Sequence, residues 1–160
     1  MSENDRLAEL LTEQEELQFP RFDIAMGWRL GSLLQQRAEA EKMPIAIDVT
    51  LSRQQLFFCA MPGATIDNAA WVTRKRAVVE RFQRSSLYMK LSVDQAGRTL
   101  FDRYNISADE YASSGGSVPI MVRGTGCVGA VTVSGLTQYK DHEMGADAIR
   151  TLIAELAAKG

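Results

Sequence analysis

Few side chains in this sequence can do chemistry, and their types and spacing narrow what that chemistry is. His142 is the only histidine. No serine or cysteine triad can draw on another imidazole, and a catalytic zinc that asks for three protein ligands is disfavoured. His142 stands between Asp141 and Glu143 at the start of a predicted helix, where the positive end of the dipole favours neutral imidazole. A neutral ring acts as a base or a metal ligand; the alternative is an ordinary surface histidine at a helix start. Cys59 and Cys127 have apolar neighbours in strand-like runs, so both read as buried, inert thiols. Two cysteines make neither a disulfide framework nor a four-cysteine zinc site. Met61, Met89 and Met121 are soft donors in principle, but scattered methionine is packing. The cluster Arg74, Lys75 and Arg76, with Arg81 and Arg84, is either a solvated basic face or the wall of a pocket or subunit seam. In the second case it holds carboxylates by forked, charge-assisted hydrogen bonds. Gly124-Thr125-Gly126-Cys127-Val128-Gly129 matches the dinucleotide fingerprint by letter only. That fingerprint needs a helix after it, and here a strand follows, so the glycines read as a hairpin turn and a close backbone approach.

The elements that must position these groups follow from periodicity. Leu7, Leu10, Leu11 and Leu17 form one helical stripe, with Ser2 and Asp5 as a capping box, which predicts a helix over Glu3 to Gln18. Pro20 stops it, and Asp23 caps a second helix to about Lys42. Ile45, Ile47, Val49 and Leu51 alternate with Ala46, Asp48, Thr50 and Ser52, and a second run covers Leu56 to Met61, predicting a hairpin. A helix follows over Asp67 to Arg84, its inward stripe made of Trp71, Val72, Lys75, Val78, Val79 and Phe82. Short helical turns are expected between Leu87 and Tyr111, with Ser85, Ser86, Ser92 and Ser107 as caps. Strands then run over Val118 to Arg123 and Cys127 to Ser134, with Pro119 at a strand start or an edge. A last helix, capped by Asp141, reaches about Lys159. Hairpins imply an antiparallel sheet, hence an α+β fold.

Composition closes off several functions. The chain has 160 residues, enough for one core, and 46% hydrophobic with 24% charged residues argues against disorder. Its net charge of −2 gives no field toward nucleic acid or anionic lipid, and the basic helix lacks interleaved aromatics for stacking bases. No run of about 18 apolar residues exists to span a membrane. The acidic N-terminus is unlike a signal peptide, so the expected location is the reducing cytoplasm.

Gly115-Gly116-Ser117-Val118-Pro119-Ile120, the glycine strand Gly124 to Gly129, Val131 to Leu136 and Asp141-His142-Glu143 together resemble the haem-degrading domain family, the one that includes glycolate-utilisation protein G and haem-binding proteins. Asp67-Asn68, Trp71, Arg74-Lys75-Arg76 and Phe82 to Ser86 resemble its uncharacterised cytoplasmic branch. The resemblance covers the chain from about Phe19 onward. It implies a profilin-like fold, a five-stranded antiparallel sheet flanked by helices in one domain over 1–160, with residues 1–20 as a helical extension. The fifth strand would lie around Glu110 to Ser113. It also implies a homo-oligomer, dimer or higher, consistent with Trp28, Phe57, Phe58, Trp71 and Tyr88 exceeding the needs of one small core. The resemblance implies haem as a possible cofactor, but this chain carries Ala60-Met61-Pro62-Gly63-Ala64 where haem-binding relatives usually place an arginine and an aspartate before Gly-Ala.

The expected function is an oligomeric small-ligand-binding protein. The alternatives are an interaction scaffold or adaptor without a ligand, and an enzyme acting on a small oxo-acid. The expected ligand site, for a small anion, comprises Lys75, Arg74, Ser114, Gly115, Gly116, Ser117, Gly135 and His142. The glycines free backbone amides to turn inward, the last helix adds its positive end, and Lys75 adds formal charge. Lys75 bridging to Asp48 or another internal carboxylate is the purely structural alternative.

Overall fold

The computed structural model describes residues 2–159. Helix α1 (Glu3–Glu16) carries the Ser2–Asp5 capping box, and strand β1 is only Gln18–Phe19. Helix α2 (Ile24–Ala40) is capped by Asp23, whose side chain accepts from the Met26 amide. Strands β2 (Ala46–Leu51) and β3 (Gln54–Ala60) form the expected hairpin. Then come α3 (Ile66–Phe82), α4 (Ser86–Gln95), α5 (Leu100–Tyr104), the second hairpin β4 (Ser117–Val122) and β5 (Gly126–Ser134), and α6 (Gln138–Lys159).

The five strands lie in the order β1-β4-β5-β2-β3. The α+β, five-stranded expectation holds, with one correction: β1 runs parallel to β4, so the sheet is mixed. The fifth strand is Gln18–Phe19 and not the segment at Glu110 to Ser113. A strand this short has no period to read, and it lies directly after a strongly periodic helix. It pairs with β4 only at Met121 and Val122, which leaves Pro119 on an edge where its missing amide is harmless. Two further helix signals move. Ser107 makes a single turn, accepting from Asp109 through its hydroxyl and from Tyr111 through its carbonyl. Helix α6 begins ahead of Asp141, with Thr137 Oγ1 accepting from the Lys140 amide.

One face of the sheet is apolar: Ile45, Ile47, Val49, Val118, Ile120, Val131 and Val133 pack against α2 and α6 through Leu30, Leu34, Met144 and Ile149. A smaller cluster of Val78, Met89, Val93 and Leu100 joins α3, α4 and α5. The other face of the sheet is polar yet buried. Asp48, Thr50, Ser117, Thr132 and Ser134 all lie out of solvent under α3. Burial of such groups requires partners, and α3 supplies two cations.

The glycine motif is the turn and close approach that its strand context implies. Gly124 and Gly126 have φ of 80° and 102° in the β4–β5 turn. Gly129 sits in mid-sheet, where any Cβ would strike the Thr50 carbonyl, which is backbone and cannot swing away. Gly129→Ala is therefore expected to destabilise the protein by about 1–3 kcal/mol, measured as a lowered thermal midpoint. An unchanged midpoint would mean that β2 and β5 separate at little cost.

Candidate functional site

Trp71 and Lys75 are four residues apart on α3, and Asn68 precedes Trp71 by one turn, so all three share a helical face. This face meets the end of β5 and the start of α6. Between them opens a cleft of about 280 Å³ lined by Asn68, Trp71, Lys75, Ser114, Ser134, Gly135 and Asp141, with Asp67 and Leu136 at its margin.

Lys75 lies at the base, 3% exposed, with Nζ donating to Asp141 Oδ2 at 3.0 Å and to the Val133 carbonyl at 3.2 Å. Gly116, at φ 140°, makes this possible: a Cβ there would come within 2.8 Å of Nζ. Asp141 is equally buried and accepts from the Leu136 amide at 3.0 Å through its other oxygen. Burial pushes the Lys75 ammonium below its ordinary range, against the attraction of Asp141. Burial likewise pushes the Asp141 carboxyl up, against Lys75 and the amides of Leu136 and Gly135. Both directions have one cause: a low-dielectric site disfavours each charge, and the two proton affinities move toward each other.

The expected site residues divide. Lys75, Ser114 and Gly135 line one cleft, and Gly116 shapes its floor. Arg74 does not line it; its guanidinium stacks 4.2 Å from the ring centre of Trp71, which does. The Gly115 amide donates to Gln138 Oε1, and the Ser117 amide to Ser86 Oγ, so both loop donors already have protein partners. His142 lies elsewhere. It is 5% exposed, and its Nε2 is 2.7 Å from Glu13 Oε1 of α1. Burial pushes Glu13 up, but the hydrogen bond and charge of His142, with Arg150, outweigh it and hold the carboxyl below its ordinary value. The alternative of a surface histidine is thus corrected: α1 covers the ring. Sequence reasoning did not assign Asn68, Trp71, Ser134 or Asp141 to the cleft. The shared face of residues 68, 71 and 75 was an available signal for the first two.

A five-stranded sheet with helices on both faces, and a buried lysine–aspartate pair at the end of its central strands, defines a small α+β domain. The chain belongs to the HbpS-like haem-degrading protein family, whose family model matches residues 22–150. It is 44% identical over 155 residues to a UPF0303 protein of Rhizobium etli (strain CIAT 652), covering 97% of this chain and 94% of that one. A UPF0303 protein of Burkholderia mallei (strain NCTC 10229) is 47% identical over 143 residues, covering 89% and 87%. Among solved structures, the Ybr137w protein superposes with a TM-score of 0.85 at 28% identity, over 93% of this chain and 88% of that one. A PduOC:heme complex shares the fold, with a TM-score of 0.69 at 16% identity over 81% and 93%.

The family name raises haem, which needs an axial donor at a slot wide enough for the macrocycle. The only imidazole is held by Glu13, and its buried Nδ1 has no partner among the described residues. His142 lines a void of about 10 Å³ with Glu13 and Pro119, room for one water, and an open cleft of about 200 Å³ with Arg6, Glu9, Tyr139 and Glu143, where charged side chains crowd the entrance. The Lys75 cleft is lined by no histidine, cysteine or methionine. Cys59 and Cys127 are half-buried and not fully buried as expected, and burial pushes both thiols up from their ordinary range. The residues of one chain do not build a haem slot. Among the described residues there is also no cluster of metal-ligating side chains, and no helix is long and apolar enough to cross a membrane.

Proposed function

We propose that this protein is an oligomeric binder of a small polar molecule, seated in the Lys75 cleft. The observation that carries the reading is the Lys75–Asp141 pair, both groups at most 4% exposed and both opening on a cleft walled by serines, a glycine and an indole. Binding sites combine such a concavity with a few convergent polar groups, and perturbed proton affinities cluster there. Because Asp141 already answers the Lys75 charge, the ligand is a hydroxylated molecule or hydroxy acid and not a bare anion. Titration of isotope-labelled protein with lactate and glycerol should shift the amides of Ser114, Ser134 and Gly135 and the indole of Trp71. Shifts absent there, or confined to another surface, would dispose of the reading.

The homo-oligomer is supported by exposed apolar side chains beside an open sheet edge. Ile24 and Trp28 of α2 are 54% and 56% exposed, and Phe58 of edge strand β3 is 44% exposed. Phe57 is turned toward α2, its ring 5.4 Å from Trp28, and its neighbour Phe58 faces the other side of the sheet, so exposed apolar groups flank the β3 edge on both faces. An unpaired edge next to aromatics favours self-association. Sedimentation at micromolar concentration should give a species heavier than 17.7 kDa, and Phe58→Glu should shift it toward the monomer. A wild-type monomer would end this part of the proposal.

A further inference from the structure

Lys75 is placed as a reactive amine is placed, beyond what holding a ligand requires. Its Nζ has three proton positions, and the Val133 carbonyl and Asp141 carboxylate take two. Lys75 nevertheless lines the cleft. The glycine at 116 keeps its flank free of a Cβ. A carboxylate at 3.0 Å is within direct proton-transfer reach.

We propose that Lys75 forms an imine with a small aldehyde or ketone bound in this cleft, with Asp141 as its proton carrier. The inference rests on the ligand-binding reading above and adds a covalent step to it. The ammonium first passes one proton to Asp141. The freed Nζ lone pair forms the C–N bond while the carbonyl π electrons move to oxygen. Asp141 protonates that oxygen and takes a proton back from nitrogen, giving the carbinolamine. It then protonates the hydroxyl, which leaves as water as the C=N bond forms. The product is a protonated imine paired with the Asp141 carboxylate. Overall, one ammonium and one carbonyl give one iminium and one water, with no change of oxidation state and no further reactant.

Two features suit this chemistry to Lys75 among the lysines of the chain. Imine formation needs the neutral amine, and burial of Lys75 favours that form, whereas Lys42 and Lys159 are exposed. The product also restores the charge pair that it consumes, so the site is electrostatically unchanged after the reaction. Ser114 and Ser134 can hold hydroxyls beside the reacting carbon, which points to a hydroxylated or oxo-acid carbonyl compound over an apolar one.

The test is reductive trapping on the full chain at neutral pH. Glycolaldehyde and pyruvate are each incubated with the protein and cyanoborohydride, and adducts are mapped by peptide mass spectrometry. Lys75 should be modified at least roughly tenfold faster than Lys42 or Lys159, despite its burial. Asp141→Asn keeps an oxygen for the Leu136 amide but carries no proton, so it should slow Lys75 modification by roughly a hundredfold or more and leave Lys42 unaffected. Lys75 modified no faster than Lys42, or not at all, would overturn the proposal. Amide shifts with lactate but no trapping at Lys75 would sink the imine and leave the binding site standing. Neither shifts nor trapping would sink both.

Discussion

Lys75→Met is expected to lower stability by about 3–5 kcal/mol, because it leaves the Asp141 carboxylate buried without its cation. The side chain of Asp141 is 2% exposed, so water entering from the cleft replaces the ammonium only in part. Its remaining partners are the amides of Leu136 and Gly135, which are neutral. Methionine matches the lysine stem in length and apolar character, so the measured loss reports the charge and not a cavity. A second substitution separates the two roles. Asp141→Asn in the Lys75→Met background should recover most of the loss, since the amide side chain still accepts from Leu136 and brings no buried charge. Urea unfolding midpoints of the three variants decide the matter. If Lys75→Met is as stable as the parent, the pair is not desolvated in solution. If the double variant remains as unstable as the single, the loss is one of packing. A fold that tolerates the neutral pair well would also imply that the charged pair is present for ligand chemistry, because such a pair is weak evidence for stability.

Much of this site was legible in the sequence, and the illegible parts share one physical origin. Lys75 falls on the inward stripe of its helix by periodicity alone, and it is buried. The Gly124 to Gly129 run could be read because strand and not helix follows it. The alternation of Ile45, Ile47 and Val49 with Ala46, Asp48 and Thr50 gave the strand and its apolar face correctly. The other face is covered by α3, and Asp48 on it is fully buried. Period-two patterning reports which side chains are polar, not what lies above them. The same limit explains His142. Its partner Glu13 is 129 residues away, and no local spacing connects the two. Asp141 looked like a helix cap because aspartate near a helix start usually is one. Its carboxylate instead receives Lys75 and the Leu136 amide across 66 and 5 residues. Long-range polar pairing is what a single sequence leaves open, and it is what builds this cleft.

Arg76→Met is expected to destabilise the protein by about 3–5 kcal/mol as well, for the other cation that α3 places beneath itself. Adjacent helix residues point roughly 100° apart, so Lys75 reaches β5 and α6 while Arg76 reaches β2. Arg76 Nη1 donates to Asp48 Oδ2 at 3.0 Å, and its Nε donates to Glu80 Oε1 at 3.2 Å. Asp48 is 0% exposed, and its remaining side-chain partner is Gln55 Nε2 at 2.7 Å. Without the guanidinium, a carboxylate in mid-sheet keeps one neutral donor. It lies opposite Phe58 on β3 and Thr132 on β5, so the two inner strand pairings carry the strain. Glu80 serves as the control. Its side chain is 26% exposed, and Glu80→Gln should cost less than about 1 kcal/mol, the ordinary value of a solvated pair. Arg76→Lys should fall between the two, since a single ammonium cannot fork to both carboxylates. Asp48→Asn added to Arg76→Met should restore stability, because the charge and not the shape is what lacks a partner. Equal midpoints for Arg76→Met and Glu80→Gln would show that water reaches Asp48 beneath α3. The polar face of the sheet would then be wet, and the dry surroundings that lower the proton affinity of Lys75 one residue away would lose their basis.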